Sequence, residues 1–239
     1  MEQQLDRQAE VIFMLRFFGQ PKYADKELFG YELFLREKVA GNWQFPKSFS
    51  QIHGHEFSQL LAATLALMST DIQLISINLD REQFIEEAYI CELGRVQEEY
   101  PQIQVVVELT EHDGKVTNRQ LIDAAARYVQ SRIWICLDDV GTGDNQISFV
   151  QQIDPYVSEY KFALQNFHGK KDYATSVSPY LQFWREQAAL HHKFFAIEGF
   201  ENAVDLKIAQ NYHADIKQGY YFGRPHEIAA QSTLLVADH

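Results

Sequence analysis

Asn78, Glu108, Glu111, the adjacent pair Asp138-Asp139, Lys161, Glu198 and Gln218 recur at intervals close to those of successive β-α units. Each falls in or just after a short apolar run. Asn78 closes Ile72–Leu79, and Glu108 and Glu111 belong to the end of Val105–Leu109. Asp138-Asp139 follow Ile133–Leu137, Lys161 lies in Tyr160–Leu164, Glu198 follows Phe194–Ile197, and Gln218 lies in Ala214–Tyr221. These side chains offer hard oxygen donors and few nitrogens, a set that suits Mg²⁺ or Mn²⁺ better than zinc. An adjacent aspartate pair can serve two ions, one carboxylate bridging and the other binding the second ion. Two ions about 3.5–4 Å apart are a recurring device for attacking a phosphodiester, and a lysine beside them can hold the attacking water. Carboxylates packed so closely repel one another, so metal binding is expected to stabilise the fold. Two other readings stand beside this one. An acid after a strand also caps the helix that follows, and enolase-type barrels likewise set carboxylates and a lysine around Mg²⁺.

The elements that must bring these residues together are short apolar runs alternating with helical patterns. Val11–Leu15 and Phe29–Leu35 read as the first two strands, ahead of the six runs above. Between the runs, periodic segments predict helices over Glu56–Met68, Arg81–Tyr100, Asn118–Gln130, Ile147–Ile153, Pro179–His191 and Ala203–Asn211. Near-continuous apolar strands separated by helices mark a parallel sheet covered on both faces. About eight strands in this length favour a closed (β/α) barrel over an open sheet. In such a barrel the C-terminal ends of the parallel strands open on one mouth, where the polar residues converge. No Pro/Gly/Ser-rich linker divides the chain, so residues 1–239 are expected to form a single barrel domain.

Composition narrows the function classes. The 239 residues are 46% hydrophobic and 23% charged, which excludes wholesale disorder and collagen-like repeats. No apolar run approaches the roughly 18 residues of a membrane span. The acidic start, Met1-Glu2-Gln3-Gln4-Leu5-Asp6-Arg7, lacks a signal-peptide pattern, so a cytoplasmic protein without a membrane partner is expected. With 21 basic against 33 acidic residues the net charge is −12, the wrong sign for holding DNA or RNA through phosphates. The two cysteines, Cys91 and Cys136, are too few for a disulfide scaffold and are expected as buried thiols.

The order of short motifs resembles the EAL-domain cyclic di-GMP phosphodiesterases, from about Gln20 to Pro225. Gly30-Tyr31-Glu32-Leu33-Phe34-Leu35-Arg36 is similar to the family's G-x-E-A-L-L-R signature, and Gln20-Pro21-Lys22-Tyr23 to its opening Q-P segment. Asn78-Leu79 matches the N-L step, Glu108-Leu109-Thr110-Glu111 the E-x-T-E motif, and Asp138-Asp139-Val140-Gly141-Thr142-Gly143 D-D-F-G-T-G with one change. Glu198-Gly199-Phe200-Glu201 resembles E-G-V-E, and the segment from Gln218 to Pro225 the Q-G-Y-x-x-x-R-P ending. The resemblance implies a modified (β/α)8 barrel of the TIM type whose first strand runs antiparallel to the rest. It also implies a phosphodiesterase in signalling that hydrolyses cyclic di-GMP to linear pGpG with two Mg²⁺ or Mn²⁺ ions. Glu32, Asn78, Glu108 and Asp138 would hold the first ion; Asp138, Asp139 and Glu198 would hold the second, partly through water. Lys161 would touch the attacking water, with Glu198 and Gln218 in the same catalytic network. Arg36 would reach a substrate phosphate, Pro225 would belong to the substrate-binding end, and Glu111 would brace the loop after Asp138-Asp139.

The chain departs from the family pattern at Lys161-Phe162-Ala163, where the family's aspartate is alanine, and at Asp144-Asn145-Gln146, which replaces Y-S-S. These changes motivate an alternative: a catalytically inactive EAL-like domain that acts as a cyclic di-GMP receptor or protein-interaction module. Control is expected from homodimerisation, metal supply or a regulatory protein. His53, His55, His191 and His192 read as surface or capping residues. Gly141-Thr142-Gly143 reads as a tight turn, Trp43, Trp134 and Trp184 as packing, and Tyr221-Phe222 as candidates to stack a guanine.

Overall fold

Two long strands joined by a tight turn open the described chain: β1 (Leu15–Ala24) and β2 (Glu27–Val39) pair antiparallel along nearly their whole length. The computed structural model describes residues 15–47, 49, 52–110 and 115–228. A short strand, β3 (Asn42–Gln44), folds back on the far end of β2. The parallel strands follow as β4 (Leu74–Leu79), β5 (Gln104–Leu109), β6 (Trp134–Leu137), β7 (Glu159–Ala163), β8 (Phe194–Glu198) and β9 (Ile216–Gln218). They run in register from β2 to β9, and β9 meets β1 antiparallel. With the β1–β2 pairing, eight strands close into a barrel in which the first alone is reversed. A last strand, β10 (His226–Glu227), adds to β1 outside the ring.

Helices α1 (Gly54–Leu65), α2 (Arg81–Ile85), α3 (Glu87–Glu99), α4 (Asn118–Gln130), α5 (Ile147–Ile153), α6 (Tyr173–Leu190) and α7 (Ala203–Ala209) cover the outside. The main core lies between these helices and the outward faces of the strands, as with Ile75, Ile77 and Leu79, all fully buried. A small second core of Leu74, Val106 and Cys136, flanked by Phe29 and Trp134, plugs the barrel from inside. Side chains alternate along a strand, so the residues two and four positions on from that plug also face inward. These are Ser76 and Asn78 on β4 and Glu108 on β5. The register partner of Cys136 is Glu159, which brings Glu159 and Lys161 into the same interior. The plug therefore leaves the upper barrel to polar groups.

Several elements differ from the pattern in the sequence, each for a local reason. The apolar reading of Val11–Leu15 catches only the first residue of β1, and residues 11–14 lie outside the described residues. The strand runs on through Gln20-Pro21-Lys22-Tyr23 because its inward face meets a polar interior. The helical pattern over Arg81–Tyr100 breaks at Glu86, whose extended backbone (ψ 126°) separates α2 from α3. α6 starts six residues before Pro179, which sits inside the helix. Cys136 is buried as expected, but Cys91 is exposed on α3 and bonds Glu87, because it falls on the helix's outer face. Among the described residues no helix is long and apolar enough to cross a membrane.

Candidate metal centre

Glu32 stands on β2, Asn78 and Glu108 near the ends of β4 and β5, and Asp138 just beyond β6. Lys161 comes from β7, Glu198 from the end of β8 and Gln218 from the end of β9. The closed ring turns these separate strand positions into one cluster. Lys161 Nζ lies at its centre, 3.0 Å from Asp138 Oδ1, 3.2 Å from Glu198 Oε2 and 3.4 Å from Glu32 Oε2, and it also pairs with Glu108 Oε2. Asn78 Nδ2 donates to Glu32 Oε1 at 2.6 Å, which leaves the amide oxygen of Asn78 free to act as a ligand. Gln218 Nε2 donates to Glu32 Oε2 at 2.6 Å and to Gln20 Oε1 at 3.1 Å.

One oxygen from each of Asp138, Asp139 and Glu198 lies within 4.8 Å of the others, a spacing that a single divalent ion can span. The donors are carboxylate and amide oxygens, so the set fits a hard divalent cation rather than zinc. Asp139 holds a left-handed backbone, φ +49°, unusual for a residue with a side chain. The turn Asp138–Asn145 is anchored from below: the fully buried Asn145 donates to the carbonyls of Asp138 (2.5 Å) and Leu109 (3.3 Å). Arg81 reaches Asn145 Oδ1 at 3.4 Å and Asp144 at 3.5 Å. Gly141, at φ +89°, makes the tight turn expected of Gly-Thr-Gly.

Burial dominates the acid–base behaviour of the cluster. It raises Asp138 well above the ordinary aspartate value against the pull of Lys161, and raises Glu32 with help from Glu108. Burial pushes Glu108 the same way, but Lys161 and Lys22, through charge and hydrogen bonds, outweigh it and bring the carboxyl down to about 2. Lys161 is raised well above its usual range because four carboxylates outweigh the cost of burying it.

A cavity of about 470 Å³ opens above the ring. Glu32, Asn78, Asp138, Lys161, Glu198 and Gln218 line its polar floor, and Phe17, Phe34, Phe45, Phe49 and Phe57 an apolar side. Glu108 lies beneath this floor, fully buried. Asp139 turns aside, 3.2 Å from Asn166 Nδ2. Arg36 and Pro225 do not line the cavity; the Arg36 guanidinium lies 3.6 Å from the centroid of the Phe45 ring at its rim. Tyr220, not Tyr221 or Phe222, lines the wall, since Phe222 packs against Tyr23 and Phe200. Glu111 lies outside the described residues. His53 holds the N-cap position of α1 without a side-chain capping bond, and His191 follows α6 with Nδ1 3.0 Å from Asp154, so neither joins the centre. Trp184 is buried beside Tyr160, and Trp134 stacks on Phe194.

Three residues at the centre escaped sequence reasoning. Gln165, after β7, donates to Glu198 Oε1, and Asn166 donates to Asp139, so each of these carboxylates carries an amide partner. A Cβ on Gly199, at φ +76°, would stand 1.7 Å from Gln165 Oε1, so the glycine makes room for that amide. Lys22, inside the barrel on β1, bonds Glu108 from below. Polar residues in an irregular loop or beside a proline carry no periodic signal. Only the inward alternation along β1 could have pointed to Lys22.

Comparison with known proteins follows the same residues. The family model described as EAL domain matches residues 20–225. A search of curated proteins found no match. Among solved structures, the EAL enzyme Bd1971 in its cAMP- and cyclic-di-GMP-bound form is 20% identical, with a TM-score of 0.71 over 94% of this chain. The YkuI protein of Bacillus subtilis, with an EAL domain and in complex with cyclic di-GMP and calcium, is 21% identical, with a TM-score of 0.74 over 93% of the chain. The FimX EAL domain of Pseudomonas aeruginosa bound to cyclic di-GMP is 15% identical, with a TM-score of 0.74 over 95% of this chain and 97% of its own. The present chain spans 66% of Bd1971 and 57% of YkuI.

Proposed function

Because the chain belongs to the EAL-domain family, we propose that it is a divalent-metal-dependent phosphodiesterase that hydrolyses cyclic di-GMP to linear pGpG, with residues 1–239 acting as one barrel domain. The observation that carries this reading is the meeting of Glu32, Asn78, Asp138 and Glu198 around Lys161 on the floor of one cavity, with Glu108 just beneath. When bound there, two Mg²⁺ or Mn²⁺ ions would supply charge neutralisation on the transferring phosphoryl group and acidify the attacking water. Glu32, Asn78, Glu108 and Asp138 would hold one ion; Asp138, Asp139 and Glu198 the other.

The chain's own groups do the rest. Lys161 orients the attacking water by hydrogen bonding from its ammonium, and Gln218 keeps Glu32 turned toward the ring. Water loses a proton to solvent as its oxygen adds to phosphorus, the P–O3′ bond breaks, and the departing 3′-oxygen takes up a proton from solvent. Arg36, at the rim, pairs with a phosphate oxygen after swinging off Phe45. The apolar side of the cavity and Tyr220 take a guanine, whose flat face suits such a wall. Glu32→Ala is expected to abolish turnover; cleavage by that variant at the unmutated rate overturns the metal assignment.

A second reading has its own observation. Ala163 stands where the family pattern has an aspartate, and Gln165 and Asn166 hold the second ion's carboxylates with amides. A domain so altered would bind cyclic di-GMP as a receptor, with a homodimer contact or a regulatory protein as its output. Binding by calorimetry without product marks that outcome.

A further inference from the structure

Lys22 is a fully buried ammonium that the proposed chemistry does not use. It sits on β1 opposite Gln218 in the antiparallel register, with Nζ 2.6 Å from Glu108 Oε1. The other oxygen of the same carboxylate, Oε2, belongs to Lys161. Glu159, also fully buried, lies 3.8 Å from Lys22 as its second carboxylate neighbour. What Lys22 adds is geometry: Oε1 of Glu108 is tied to Lys22, and Oε2 is the oxygen on the side of Lys161, whose ammonium also meets Glu32, Asp138 and Glu198.

Divalent ions differ in what they ask of such a carboxylate. Ca²⁺ takes about 6–8 oxygens at roughly 2.3–2.6 Å and often binds a carboxylate through both of its oxygens. Mg²⁺ demands near-octahedral geometry at about 2.0–2.1 Å and takes one oxygen from each carboxylate. Resting on the metal-dependent reading above, we infer that Lys22 is a specificity-determining residue: by holding Oε1 it confines Glu108 to one donor oxygen and biases the centre toward Mg²⁺ and Mn²⁺ over Ca²⁺. Lys22 touches neither substrate nor the reacting atoms. It acts through Glu108.

The test removes the pair together, because Lys22→Met alone would leave Glu159 buried and uncompensated. Replacing a buried ion pair by apolar side chains of similar volume is commonly tolerated. Calorimetric titrations of MgCl₂ and of CaCl₂ are compared for the unmutated protein, for Lys22→Met/Glu159→Leu, and for Lys22→Gln/Glu159→Gln, which keeps polar packing. Freeing an oxygen from a charge-assisted hydrogen bond is expected to shift the Ca²⁺-to-Mg²⁺ affinity ratio toward Ca²⁺ by about tenfold or more. The Gln pair is expected to shift it the same way by less. A ratio unchanged within about twofold, or moved toward Mg²⁺, overturns the role of Lys22 while leaving the metal centre standing. An unmutated protein that binds neither ion overturns the metal reading, and this inference with it. Loss of a merely structural pair would change the melting temperature in EDTA without moving the ratio.

Discussion

Ala163 stands beside Glu198 in the parallel register of β7 and β8, a methyl group next to a carboxylate of the candidate second ion site. Ala163 is 2% exposed, so a carboxylate introduced there would meet Glu198 in a poorly solvated space. Ala163→Asp is therefore expected to lower the melting temperature in EDTA, at a cost of about 1–3 kcal/mol for the buried polar group. The added oxygens should also tighten Mn²⁺ binding, by about tenfold, and recover the stability when the ion is present. Melting curves with EDTA and with MnCl₂ check this. An equal loss in both would contradict the assignment of this corner to a metal.

Stability of the metal-free protein should depend on pH with a definite sign. Burial holds Asp138 and Glu32 above their ordinary values of 3.8 and 4.5. The stability each contributes is full below those unfolded values and is lost as pH rises through the higher folded value. Glu108, lowered to about 2, behaves oppositely: its contribution is present above 4.5 and lost as pH falls toward 2. Raising the pH from about 5 to 8 in EDTA is therefore expected to destabilise the fold, at up to about 1.4 kcal/mol per pH unit for each raised group. Mg²⁺ should flatten the curve, since it binds the ionised carboxylates. A metal-free melting temperature that climbs over this range would contradict the account.

The side chain of Asn145 ties the turn carrying Asp138 and Asp139 to the end of β5. Asn145→Ala removes both hydrogen bonds to the carbonyls of Asp138 and Leu109 and leaves those acceptors buried. A loss of about 1–3 kcal/mol is expected by denaturant unfolding, with weaker metal binding because the turn relaxes. Unchanged stability with unchanged metal affinity would show that the turn is held by other contacts.

Arg36 offers a cleaner separation of binding from chemistry. Its guanidinium rests on Phe45 at the rim, away from the carboxylate ring. Arg36→Ala is expected to raise KM about tenfold, the worth of one charge-assisted contact to phosphate, with kcat little changed. Steady-state kinetics at saturating metal decide it. A fall in kcat with KM intact would move Arg36 into the reacting centre.

Much of this site was legible because a parallel barrel converts strand ends into neighbours. Asn78, Asp138 and Glu198 each follow an apolar run, and a run's end has one place to go in a closed ring. Glu32 needed the motif around it, since β2 alternates and its mouth-facing position has no such mark. β1 was misread for a physical reason. A strand whose inward face carries Gln20 and Lys22 lacks the apolar signature that reveals its neighbours. Gln165 and Asn166 follow β7 in a 3-10 turn whose side-chain directions no periodicity predicts. The exposed Cys91 shows the converse limit, an amphipathic helix whose buried face leaves that position outside.

The central claim is that the carboxylate ring around Lys161 cleaves a cyclic dinucleotide with divalent ions. The direct measurement incubates the purified protein with cyclic di-GMP in Mg²⁺, in Mn²⁺ and in EDTA, and separates the products by ion-exchange chromatography. The account predicts linear pGpG with either ion and none in EDTA. No product with either ion, from protein that calorimetry shows to bind both the ion and the nucleotide, would contradict it and leave a receptor.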